Sequence, residues 1–580
     1  MKFPKTWNLD RIYEGGSHSA SFETSFQKTK GRIDSFKALL QKNNLEEAIA
    51  LSQDIRFSLR EMHAFVECLN AQDVNDSKAS SLTGQMRTLS TEFSNLELEF
   101  DAALGDLSSQ DFENLIDTHP DIAFHLKEKR KRVKDKLPFE KETFINDLAI
   151  DGYHGWSELW DARIGEMSFP FQHENLSFGQ IENKLGDPDR SRRKEGFESI
   201  QNTFQSSQIV FSQILNHLGG FRLEVYKKRG WDLLKEPLDE NRMSAETLEA
   251  MWTAITHIQP SLKKFLACKS ALLGIEKMCW YDLEAPLSTT SKEITYEEAA
   301  ETILKQFRSF SPKMADFAKR ALENHWIDAE DRGGKRPGGF CTALPIAKES
   351  RIFMTFSNTM TNLFTLAHEL GHAFHNEVLF PLPEMTQDAK MGVAETASTM
   401  AETIVTQAAI KEETNLKERL FLLDDHLSRS ISYLMNIHTR FLFETRFYEK
   451  RKEGFVSHES LSEMMEGAQK EAYGNSLETY HPLFWAAKMH FFFTDVPFYN
   501  FPYTFGYLFS LGIYQHALEK GDFESSYIGL LQDTGRMNVE ALAKKHLQMD
   551  LSQTTFWDQG LSIIKKDIDE YIKLSKEVSL

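Results

Sequence analysis

The chain has 580 residues, 41% apolar and 26% charged, the balance of a folded globular protein long enough for several domains or one large body. Its formal net charge of −19 argues against partners rich in phosphate, whether nucleic acid or an anionic membrane surface. The four cysteines, Cys68, Cys268, Cys279 and Cys341, are too scattered for a disulfide framework or a cysteine metal site. The opening residues lack the apolar core of a signal peptide, and no run of about 18 apolar residues occurs, so a cytoplasmic protein without a membrane span is expected.

From residue 19 to 135 the apolar residues recur with helical periodicity, as in 22–40, 45–69 and 82–104, which predicts several antiparallel helices. The basic run 127–136 reads as the exposed end of a helix. Pro138 and the stretch 169–178 break the pattern. Gly186-Asp187-Pro188-Asp189 then caps a helix starting near Arg190. A boundary at about 185 is expected, with 1–185 an N-terminal helical domain and 186–580 the catalytic domain. Residues 190–330 read as helical again, with interruptions near Gln259-Pro260 and over 280–290, where Pro286 and a Ser/Thr cluster supply loop chemistry.

Residues 333–358 differ in kind. Paired glycines precede two short apolar runs, 340–344 and 351–356, which predict two strands joined by a loop. They lead directly into the stretch 361–380, TNLFTLAHELGHAFHNEVLF. Its apolar residues cover most of a helix, Asn358 or Thr359 can cap the start, and Pro381 blocks continuation. His368 and His372, four apart, share one helix face and can hold one Zn²⁺ from the same side. Glu369, between them in HExxH, is angled off that face and can take a proton from a metal-activated water. His375, one turn on, can reach the same cleft in a supporting role.

A second helix of small and apolar residues is expected over 391–410. Glu395, 27 residues after His368, would complete a two-His, one-carboxylate site with one position open. Glu402, a heptad later on the same face, could orient a ligand imidazole. The Ala, Ser and Thr around them point to close packing against another helix. Helices resume after Leu416. The densest aromatic region, 480–514, is mostly core in character, but amide hydrolysis needs a donor for the developing oxyanion, and a histidine N–H or a tyrosine hydroxyl suits that task.

HELGHAFH followed by AETASTMAE resembles the thimet-oligopeptidase-like zinc metallopeptidases, and most closely their oligoendopeptidase F group. The opening WNLDRIY at 7–13, GGFCT at 338–342, FYNFPYTFGYLFS at 498–510 and LLQDTGRM at 530–537 are similar to that group in the same order. The resemblance implies a mainly α, large two-lobed helical body around a deep substrate channel, one zinc per chain, and endopeptidase action on short peptides. It also implies a small β-sheet beside the HExxH helix, whose edge strand holds an extended substrate. A family histidine followed by tyrosines corresponds to His490, with Tyr499 and Tyr507 ahead of Tyr503 as the oxyanion-binding tyrosine. The expected function is a zinc-dependent endopeptidase of oligopeptides with Glu369 as general base. The alternatives are a zinc carboxypeptidase and a non-catalytic helical peptide-binding protein.

Overall fold

The structure is a computed structural model and describes residues 2–288, 293–521 and 523–578. Among these residues it is mainly α, with two small sheets. The chain forms two compact units, each assembled from separate segments. Unit 1 comprises 1–136, 292–406 and 516–548, and unit 2 comprises 137–291, 407–515 and 549–580.

Unit 1 begins with three long helices, Ala20–Gln41, Leu45–Gln72 and Ser77–Asp106, where the apolar periodicity predicts them. Each has a side-chain cap, from Ser19, Asn44 and Asp76, which satisfies amide groups left unpaired in a first turn. Their inner faces bury Ile33, Phe36, Phe65, Phe93 and Phe100 in one core. The basic run lies in the helix Ala123–Asp135.

The sheet of unit 1 holds β3 (Ile327–Asp328), β4 (Phe340–Leu344) and β5 (Glu349–Phe353) in the order β3-β5-β4. β4 and β5 are an antiparallel hairpin, and β3 runs parallel to β5. β4 is therefore an edge. Glu61 accepts from the amides of Ile346 and Ala347 at 3.0 and 3.3 Å and so fixes the hairpin turn to the helix Leu45–Gln72.

Unit 2 is built on the 40-residue helix Arg190–Arg229, capped by Asp189, and on Ala245–Leu272, which packs along Thr554–Glu577. The expected interruption at Gln259-Pro260 does not occur, because Pro260 lies inside Ala245–Leu272. Pro260 is exposed, while Ile255, Ile258, Leu262, Phe265 and Leu266 bury the opposite face. That burial outweighs the roughly 3 kcal/mol a helix-interior proline costs. Residues 169–176 form a hairpin, β1 (Phe169–Phe171) with β2 (Glu174–Leu176). The break after residue 280 holds a 3₁₀ turn, Trp280–Asp282. The Ser/Thr cluster expected there falls partly on 289–292, outside the described residues.

Candidate active site

The HExxH stretch is the helix Met360–Leu379 in unit 1. Thr359 caps it by accepting from the Asn362 amide at 3.2 Å. Leu363, Leu366, Leu370 and Phe374 are buried beneath it, and Asn376 ties it to β5 through Ser350 Oγ at 3.2 Å. The imidazoles of His368 and His372 stand side by side, centroids 5.0 Å apart and nearly perpendicular.

The next long helix, Met391–Glu412, lies against this one. The contact is closest at Gly371. A Cβ placed there would stand 2.7 Å from the Ala397 carbonyl oxygen, 2.7 Å from Ala401 Cβ and 2.8 Å from Ser398 Cα. Glycine is thus the residue that lets the second helix approach, and the approach delivers Glu395. Its Oε2 lies 3.6 Å from His368 Nε2 and 3.8 Å from His372 Nε2.

One ligand atom from each of these three residues falls within 4.8 Å of the others. The gaps to Glu395 exceed hydrogen-bond length. Four ligands arranged tetrahedrally at about 2.0–2.1 Å from a zinc ion lie about 3.4 Å apart, so this trio fits such an ion with shifts of a few tenths of an ångström. Two imidazole nitrogens and one carboxylate oxygen are also the donor types that zinc favours.

Glu402 Oε2 stands 3.4 Å from His368 Nδ1, on the side of the ring away from Glu395. Donation of Nδ1–H to Glu402 leaves the Nε2 lone pair facing Glu395. Burial alone would lower the His368 pKa. The Glu402 hydrogen bond and the charges of Glu369, Glu402 and Glu395 outweigh it and raise the value to about 9. Burial, with His368 and His375 as neighbours, holds His372 well below its ordinary value.

Glu369 is 7% exposed, and burial raises its carboxyl to about 7, with His368 pulling down and Glu395 pushing up. A Cβ on Gly339, just ahead of β4, would be 3.7 Å from Glu369 Oε1, so the start of the edge strand runs beside this carboxylate. His375 turns elsewhere. It is buried, its Nε2 is 2.8 Å from Thr534 Oγ1, and it lies outside the three-residue cluster.

The aromatic candidates belong to unit 2. His490 stacks on Tyr499 with centroids 4.9 Å apart, and the Tyr499 and Tyr503 hydroxyls are 3.3 Å from each other. Arg440 Nη1 lies 3.3 Å from His490 Nδ1 and donates to it. Burial first, then the charges of Lys488 and Arg440, lower His490 to about 4, so it is neutral at pH 7. With Nδ1 accepting, the proton sits on Nε2. Tyr507 is buried on another footing: its hydroxyl shares a 2.8 Å hydrogen bond with Ser430 Oγ and its ring stacks on Tyr433. Sequence reasoning missed Gly371 and Arg440. The signal for Gly371 was a glycine inside a helix, which costs about 1 kcal/mol unless close packing needs it.

A mainly α protein with an HExxH helix, a carboxylate from the following helix and a buried glutamate beside them is of the metallohydrolase class in its site chemistry. Residues 185–561 match Peptidase family M3, and residues 104–169 match the Oligopeptidase F family. The chain belongs to Peptidase family M3 and to its oligoendopeptidase F group. It is 23% identical to Group B oligopeptidase PepB of Streptococcus agalactiae, over 86% of this chain and 85% of that protein. It is 22% identical to oligopeptidase PepF of Bacillus subtilis, over 100% of this chain and 88% of that one. Its fold is that of a crystal structure of a peptidase from Chlamydophila abortus described as putative (TM-score 0.83, 20% identity, 98% of each chain). It also matches oligoendopeptidase-F from Enterococcus faecium (TM-score 0.69, 17% identity, 96% of this chain and 99% of that one). Among the described residues, no helix is long and apolar enough to cross a membrane.

Proposed function

We propose that this protein is a zinc-dependent endopeptidase that hydrolyses internal bonds of oligopeptides. The carrying observation is the convergence of His368, His372 and Glu395 with Glu369 buried beside them. His368 and His372 would hold the ion through Nε2 and Glu395 through a carboxylate oxygen. When bound, zinc supplies Lewis-acid polarisation of the scissile carbonyl and acidifies water.

The rest is the work of this chain's own groups. Glu369 takes a proton from the attacking water and gives one to the leaving amine nitrogen, and a carboxyl whose pKa burial has lifted suits both transfers. Glu402 holds the His368 ring in the required tautomer. The free edge of β4 pairs with an extended peptide through main-chain groups, which makes binding tolerant of sequence. His490 donates from Nε2 and Tyr499 from its hydroxyl to the oxyanion. Tyr499 is preferred over Tyr507 because the Tyr507 hydroxyl is shared with Ser430 in a buried pair.

We place these roles in a catalytic part spanning 186–580, with 1–185 as a helical N-terminal part. A reducing, cytoplasmic setting accords with cysteines that are all free thiols. The test is mass-spectrometric mapping of cuts in a mixed peptide library, with and without chelator, together with metal content. Internal cuts that cease on chelation and return with zinc support the reading. Cuts confined to the last residue would support a carboxypeptidase, and chelator-insensitive behaviour would refute metal dependence.

A further inference from the structure

Unit 2 contains a cavity of about 400 Å³, within the size range of small-ligand sites. Its walls carry six charged side chains; Asp425 and Arg429 pair with each other at 3.0 Å, and the other four come from four different segments. Glu182 ends the helix Phe178–Glu182, and Glu284 follows the Trp280–Asp282 turn. Arg440 lies on the helix Ile437–Glu453, and Lys488 follows the helix Phe484–Ala487. The glutamates are exposed, while Arg440 and Lys488 are half-buried. Trp280 and Tyr473 add aromatic surface.

Unlike Asp425 and Arg429, these four are not joined to one another by an ion pair among the described residues. Arg440 donates from Nε to Asn436 Oδ1 at 2.8 Å and from Nη1 to Asn500 Oδ1 at 2.7 Å, and its Nη2 makes no hydrogen bond among the described residues. Lys488 Nζ and the carboxylates of Glu182 and Glu284 form neither a hydrogen bond nor an ion pair among the described residues. Lys488 and Glu182 are each near enough to the other three to act on them electrostatically. Burial first and then Arg440 push the Lys488 ammonium down to about 8, against the pull of Glu182 and Glu284.

The scaffold holding them is cross-linked by buried polar contacts. Buried Asp282 receives Arg193 Nη2 and Arg190 Nη2, each at 2.9 Å, and fixes the turn before Glu284. Gln469 exchanges two hydrogen bonds of 2.9 Å with the His481 backbone, and His481 lines the same cavity. Apart from the Asp425–Arg429 pair, two cations and two anions, presented apart on the walls, complement a ligand that also carries both charges apart.

We propose that this cavity binds the C-terminal end of an oligopeptide whose last residue is basic. The α-carboxylate sits on Arg440 Nη2 and Lys488 Nζ, the cationic side chain on Glu182 and Glu284, and the aliphatic stem against Trp280 and Tyr473. The inference rests on the peptidase reading and adds a specificity determinant to it.

The test uses four peptides with one common scissile sequence, ending in Arg or norleucine, each as the free acid and as the amide. KM is measured for the wild type, for Lys488→Met and for the double variant Glu182→Gln/Glu284→Gln. The wild type is expected to show KM about tenfold lower for acid than for amide, and about tenfold lower for Arg than for norleucine. Lys488→Met should collapse the acid-to-amide ratio towards one and leave the Arg-to-norleucine ratio in place. The double variant should do the reverse. Because each readout is a ratio within one protein preparation, a variant that merely folds less well leaves both ratios unchanged, and that result overturns the proposal. Cleavage of all four peptides by the wild type with equal KM also overturns it while sparing the peptidase reading. Cleavage of none overturns both.

Discussion

Gly371→Ala tests how the site is assembled. The added methyl would meet the Ala397 carbonyl oxygen and Ala401 Cβ at 2.7 Å and Ser398 Cα at 2.8 Å. Two of these atoms are backbone and the third is a Cβ, so no rotamer change relieves them. Ordinary contact begins near 3.4 Å, and the two helices must part by about 0.7 Å. Added to the 3.6 Å between His368 Nε2 and Glu395 Oε2, that separation gives about 4.3 Å. Two ligands on one zinc ion with bonds of about 2.05 Å can be at most about 4.1 Å apart, so Glu395 must leave its rotamer to stay bound. The expected costs are about 1–3 kcal/mol of stability and a 10–100-fold loss of zinc affinity. The assays are competition with a chromophoric chelator and thermal unfolding with and without zinc. Gly84→Ala is the control. It lies in the helix Ser77–Asp106 with nothing within 4 Å of the added Cβ, and should gain about 0.5–1 kcal/mol from helix propensity. Wild-type zinc affinity and melting temperature in Gly371→Ala would refute the close-approach argument.

Glu369→Gln should keep zinc at full stoichiometry and lose peptide cleavage by about 10²–10⁴-fold, checked by metal analysis and turnover on one preparation. Glu402→Ala should weaken zinc about 10–100-fold, read by chelator competition, since it removes the acceptor of His368 Nδ1. Tyr499→Phe should lower kcat, whereas Tyr507→Phe should lower the melting temperature by the equivalent of about 1 kcal/mol, having lost its buried partner Ser430, with kcat unchanged. Glu61 should make stability depend on pH. Burial raises its folded carboxyl from 4.5 to about 7, against the two amides and Arg351, so the folded state binds the proton more tightly than the unfolded state. Its contribution is full below about 4.5 and is lost as pH rises through about 7, a difference of about 3 kcal/mol. Glu61→Gln should therefore gain stability relative to wild type between pH 5 and pH 8 in urea unfolding, and a constant difference would contradict the assignment.

Much of the site could be read in the sequence because its information is local. The helix Met360–Leu379 follows from a 3.6-residue apolar period, a capping threonine and Pro381, and the positions of His368 and His372 follow from the helix itself. Glu395 and Glu402 sit a heptad apart on one helix, so their shared face was also legible. What was hidden depends on partners distant in sequence. Gly371 has meaning only once its neighbour is known to be the Ala397–Ala401 stretch. Two-residue β3 is too short to carry a periodicity, and it exists because β5 offers it a parallel edge. Pro260 forecasts a break from local rules, but the buried face of its helix overrides them. The two compact units interleave segments from across the chain, which no local pattern encodes.

The most direct test of the central claim is an anomalous difference map at the zinc edge from crystals of the protein grown with zinc. The account predicts one strong peak about 2.0–2.2 Å from Nε2 of His368, Nε2 of His372 and a carboxylate oxygen of Glu395. A peak held by other side chains, or none at these three at full zinc saturation, would contradict it.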